Sequence, residues 1–100
     1  MATEYKQQLN NKLKIKQPKK YMAIMYNDDY TTMEFVVSIL EDIFLKSSEE
    51  AYSIMMNVHK KGSGIAGIYP VDIALTKINK SMLLAKENNF PFKMTIKEIE

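Results

Sequence analysis

The chain has no cysteine, no tryptophan and no arginine, and one histidine among 100 residues. Without cysteine there is neither a disulfide framework nor a thiolate metal site, and the reducing cytoplasm is the expected compartment. A single imidazole excludes a metal centre built on two or more histidines. The missing arginine speaks against a mitochondrial transit peptide. No apolar run approaches the roughly 18 residues of a membrane span, nor does the start resemble a signal peptide. There is no Gly-rich phosphate loop and no Gly-x-Ser-x-Gly elbow. Nothing supplies a nucleophile with its base and oxyanion donors. No catalytic residue, cofactor or metal ligand is therefore assigned.

What is present is a hydrophobic content of 46%, enough for one small core. The net charge of +2 conceals a division. Residues 1–20 carry six lysines against Glu4 alone, a net +5, whereas residues 21–100 carry eight lysines against eleven acids, a net −3. The first segment has few large apolar residues beyond Tyr5, Leu9, Leu13 and Ile15. It reads as a flexible basic extension on an acidic domain spanning 21–100. The acidic body argues against a nucleic-acid-binding face.

Punctuation and periodicity divide that domain. Residues 21–26 form the short apolar run of a buried strand. Thr31-Thr32-Met33-Glu34 reads as a capping box, with the Thr31 hydroxyl accepting from the Glu34 amide. The helix it starts sets Met33, Val36, Val37, Leu40 and Phe44 on one face. Ser47-Ser48-Glu49-Glu50 is a second capping box, with Ser47 as cap. Its helix buries Ala51, Ile54, Met55 and Val58 and ends near Gly62. Residues 64–69 read as a strand whose glycines point to a bulge or a close backbone approach. Pro70 suits the first turn of a third helix. Its stripe is Val71, Ala74, Leu75, Ile78, Met82 and Ala85, and Asn88-Asn89 and Pro91 stop it. Residues 92–97 alternate as a half-exposed strand should. The order β-α-α-β-α-β predicts an α+β domain: a three-stranded, mainly antiparallel sheet with three helices on one face.

Two adjacent carboxylates, Asp28 and Asp29, stand where the first strand meets the first helix. With Asn27 they read as an ordinary polar turn more readily than as a site; with His59 they could form a carboxylate–imidazole site, but no nucleophile or oxyanion donor stands beside them. His59 at a helix end is explained by the helix dipole. It also lies four residues beyond Met55, beside the core-facing side and next to a flexible thioether. Met33 and Met55 alone read as core filling in a chain with eight methionines.

Taken together, Asn27-Asp28-Asp29-Tyr30-Thr31-Thr32-Met33-Glu34-Phe35-Val36-Val37 closely resembles the signature of the ClpS family, small adaptors of Clp-family AAA+ proteases. The resemblance continues through Ile54-Met55, Val58-His59-Lys60-Lys61-Gly62, Gly67-Ile68-Tyr69, Thr76-Lys77 and Pro91-Phe92, across residues 21–98. It implies a ClpS-like fold and a non-enzymatic adaptor. Such a protein binds the free α-amino group and bulky first residue (Leu, Phe, Tyr or Trp) of N-degron substrates. It delivers them to the N-terminal domain of a ClpA-type or ClpC-type unfoldase. A cytoplasmic monomer is implied, with no nucleic-acid or membrane partner.

By the same resemblance, Asn27, Asp28, Thr31 and His59 hold the amine, and Asp29 mainly holds the loop. Ile24, Met33, Val36, Met55, Val58 and Phe92 line the side-chain pocket, with Met33 as gatekeeper against β-branched Ile and Val. Asp72, Thr76 and Lys77 contact the unfoldase, and the basic extension assists handover. Departures from the family pattern are Thr32 for a frequent proline, Phe92 for a frequent aliphatic residue, and Lys60-Lys61 after the histidine. The two lysines predict discrimination against basic residues in second position. The alternative is a basic-armed nucleic-acid or ribosome-associated module, whose binding would be strongly salt-dependent and lost on deleting residues 1–20.

Overall fold

The computed structural model describes residues 19–99. The basic extension expected over residues 1–20 therefore lies outside the described residues, except at its end. Lys20 already begins the first strand, and Lys19 pairs with Glu98 at 2.9 Å. The elements are β1 (Lys20–Tyr26), α1 (Met33–Asp42), α2 (Ser48–Lys61), β2 (Ser63–Pro70), α3 (Val71–Glu87) and β3 (Met94–Glu98). This is the expected α+β order. The sheet runs β2-β1-β3 with both pairings antiparallel, so no parallel pair is present among the described residues. No helix among those residues is long and apolar enough to cross a membrane.

The first strand is apolar because it is central and hydrogen-bonded on both edges. Ala23 and Met25 point to one side and are fully buried, beside Met94 of β3. The helices cover that side with Val36, Ile39 and Leu40 from α1, Ala51, Met55 and Val58 from α2, and Ala74, Ile78 and Ala85 from α3. Opposite Ala23 and Ile24 the register of β2 skips Ala66, which gives the bulge. Gly67 beside it is a genuine close approach, since a Cβ there would collide with the Tyr69 ring.

Three local expectations are corrected. The cap of α1 is Thr32, whose side chain accepts from Phe35 N at 3.1 Å, because Thr31 is committed to Asp28. Ser47 does cap α2, accepting from Glu50 N at 3.2 Å, and Gly62 ends that helix in the left-handed region (φ 92°). Pro70 precedes α3 rather than entering its first turn. The buried stripe of α3 is also rotated. Small residues Ala74, Ser81 and Ala85 let the helix approach the sheet, while Val71 and Leu75 face solvent. Buried Ser81 satisfies its hydroxyl on the Lys77 carbonyl at 2.8 Å.

Lys77 fastens three elements at once. Its ammonium donates to the Ile43 carbonyl at 2.6 Å, just beyond α1, and lies over the rings of Phe44 and Tyr69. Burial in this cluster raises the Tyr69 phenol above its ordinary value.

Candidate functional site

Between the end of β1 and the start of α1, the loop at residues 27–32 closes around one side chain. Asp28 Oδ1 accepts from Tyr30 N (2.9 Å) and Thr31 N (2.7 Å), and Oδ2 accepts from the Thr31 hydroxyl (2.7 Å). Burial opposes ionisation of Asp28. The bonds from the Thr31 hydroxyl and from the Thr31 and Tyr30 amides outweigh it, so the carboxyl is held below its ordinary value. The loop is tied to α2 as well: Asn27 N donates to the Gly62 carbonyl at 2.9 Å.

These connections set two walls around a cavity of about 520 Å³, within the usual range for a small-ligand site. Asn27, Asp28, Thr31 and His59 gather there with Met33, Val36, Met55 and Val58, so eight of the ten expected amine and pocket residues share one cavity. Val36, Met55 and Val58 form a buried apolar floor, and Met33 stands at the mouth, 42% exposed. The lining contains Asp28, Asp29 and Glu34 and no lysine. Its field therefore favours a cation.

The count of free acceptors sharpens that chemistry. A carboxylate offers about four lone-pair sites, and three are in use at Asp28, which leaves about one on Oδ2. Thr31, having spent its proton on Asp28, presents only lone pairs to the cavity. Neither the Asn27 nor the His59 side chain has a hydrogen-bond partner among the described residues. The arrangement suits a compact group with several donors and an apolar tail.

Two expected pocket residues are elsewhere. Ile24 alternates with the buried Ala23 and Met25, so it points to the opposite face of the sheet and borders a different depression. Phe92 is 5% exposed and packs edge-on against Phe35 with ring centroids 6.1 Å apart, as part of the core before β3 begins. Asp29 does not hold the loop, which is the work of Asp28; it lines the cavity without accepting a hydrogen bond from any described residue. The sequence reading did not assign Tyr30, Thr32 and Glu34, which also line the cavity. Tyr30 is a large aromatic 77% exposed beside two acids, a signal that the turn chemistry masked. Asp72, Thr76 and Lys77 do meet, with Ile43 and Leu45, around a separate depression of about 470 Å³.

Comparison with known proteins gives a consistent picture. Residues 16–95 match the family model described as "ATP-dependent Clp protease adaptor protein ClpS". The chain is 52% identical over 87 residues to the ATP-dependent Clp protease adapter protein ClpS of Lawsonia intracellularis, covering 87% of this chain and 80% of the relative. It is 48% identical over 99 residues to that of Clostridium acetobutylicum, covering 99% and 98%. The solved structure of Agrobacterium tumefaciens ClpS2 bound to L-phenylalaninamide matches with a TM-score of 0.79 at 36% identity, over 82% of this chain and 99% of that one.

Proposed function

Because the chain belongs to the ClpS family of ATP-dependent Clp protease adaptors, we propose that its acidic-lipped cavity captures the free α-amino group and the bulky first side chain of N-degron proteins. The observation that carries this reading is the convergence of Asn27, Asp28, Thr31 and His59 above the apolar floor of Val36, Met55 and Val58. An α-ammonium has three donors. The remaining lone pair of Asp28, the Thr31 oxygen, and the Asn27 and His59 side chains supply acceptors for them. Hydrogen bonds to a charged group contribute about 1.5–3 kcal/mol each, and burying a Leu or Phe side chain about as much. After the cost of association, micromolar binding follows. That the related ClpS2 was solved with L-phenylalaninamide, a free amine bearing an aromatic side chain, supports the assignment.

Met33 then decides shape at the β-carbon, admitting Leu, Phe, Tyr and Trp and excluding Ile and Val. The depression around Asp72, Thr76 and Lys77 is the proposed docking surface for a ClpA-type or ClpC-type unfoldase. The protein acts as a binding adaptor in the cytoplasm without performing chemistry. The family match favours this reading over the nucleic-acid module. The test is calorimetric titration with a peptide beginning with Phe and its N-acetylated twin. The free peptide binds and the acetylated one, which has lost the ammonium, does not; equal binding of the two would remove the amine site.

A further inference from the structure

Resting on that reading, we propose that the uncovered face of the sheet is a second subsite for the same substrates, taking an acidic, apolar stretch a few residues behind the recognised N-terminus. All three helices pack on the other face. Here Met22 and Ile24 of β1 lie half-buried beside Ile65 and Ile68 of β2, which are 46% and 50% exposed. Met22, Ile24 and Ile65 floor a depression of about 480 Å³ with Lys61 and Lys97 at its rim. A rimmed apolar patch of this kind on a small soluble domain marks an interaction surface.

The occupant follows from charge and continuity. Lys61 and Lys97 have no carboxylate partner among the described residues, and the depression is lined by no acid. The amine cavity is the reverse, with three acids and no lysine. The two sites meet at one junction: Tyr26 belongs to the open face and Asn27 to the cavity, and α2 supplies His59 to one and Lys61 to the other. A chain with a positive start and a negative continuation matches both. Extended polypeptide advances about 3.3 Å per residue, so a substrate that continues past its first residue can run from the cavity onto the open face. A second copy of this chain is a poor occupant, because a two-fold contact would oppose like lysines.

The test uses the full chain and three probes: L-phenylalaninamide, a peptide with Phe first followed by a Gly-Ser spacer and a Glu-Leu alternating stretch, and its Lys-Leu twin. The Glu-Leu peptide binds about fivefold tighter than its twin at low salt, and the gap narrows as salt rises. The double variant Lys61→Glu with Lys97→Glu reverses the order while L-phenylalaninamide binds as to the unmodified chain. Equal binding of the twins, or a preference unchanged in the variant, overturns the subsite while leaving the amine site standing. A Glu-Leu peptide that binds as tightly when acetylated overturns it too, and gives the face to another partner. Failure of L-phenylalaninamide to bind at all brings down the amine site itself, and the second subsite with it.

Discussion

Replacing Asp28 with asparagine separates the carboxylate's charge from its place in the loop. In Asp28→Asn the amide oxygen keeps the bonds from Tyr30 N and Thr31 N, now at 2.9 and 2.7 Å. The new NH₂ faces the Thr31 oxygen, which turns from donor to acceptor. The loop retains its number of hydrogen bonds, and folding loses only the difference between charged and neutral acceptors, about 1 kcal/mol or less at this partly exposed position. A bound amine loses twice, because the negative charge disappears and a Thr31 lone pair becomes occupied. One charge-assisted bond of about 1.5–3 kcal/mol corresponds to roughly 10-fold to 150-fold in Kd. Titration of a Phe-first peptide, paired with urea unfolding, reads both quantities. Asp29→Asn is the control, since Asp29 accepts nothing from the described residues. A folded Asp28→Asn that binds like the parent, or an Asp29→Asn that weakens binding as much, would refute the placement of the ammonium.

Four further outcomes are expected. Since the folded Asp28 carboxyl lies below its ordinary value of 3.8, its contribution to stability is present above that value and is lost as pH falls through the lower, folded one; acid unfolding followed by circular dichroism should be shallower in Asp28→Asn. Met33→Ala should bind peptides beginning with Ile or Val that the parent rejects, at little cost in stability because Met33 is half-exposed; unchanged selectivity would end its gatekeeper role. Thr32→Ala should cost about 1 kcal/mol in urea unfolding through loss of the α1 cap. Leu45, at φ 55° and largely exposed, occupies a conformation that suits glycine, so Leu45→Gly should stabilise by about 1 kcal/mol. If Leu45→Gly also weakens unfoldase binding, the exposed leucine serves the docking surface beside Asp72 and Thr76.

The element order and the two helix starts were legible because periodicity and capping are local properties. Ser47 was read correctly on that basis. The α1 cap was misplaced by one residue because two threonines stand together, and Asp28, three positions back, decides which of them is free. Ile24 was assigned to the wrong side because a short apolar run does not declare which parity faces the helices. The parity becomes visible only when Ala23 and Met25 are seen packed against them. Phe92 was misassigned because proximity to a site in a family pattern does not say which way a ring turns, and Phe35 draws it into the core. The α3 stripe was rotated because hydrophobicity outranked size: buried Ser81 looks polar in sequence, but its hydroxyl is satisfied within its own helix. The residues proposed to hold the amine were legible only through the family pattern, since each alone suits an ordinary turn or helix end.

The bond from Asn27 to the Gly62 carbonyl has a mechanical consequence. It ties the two jaws of the cavity together at their base, which restrains the gap between them. Such a holder screens by size without deforming and spends little entropy on closing. Under the proposed function, a captured chain start would leave by the way it entered, drawn out by tension on the cargo.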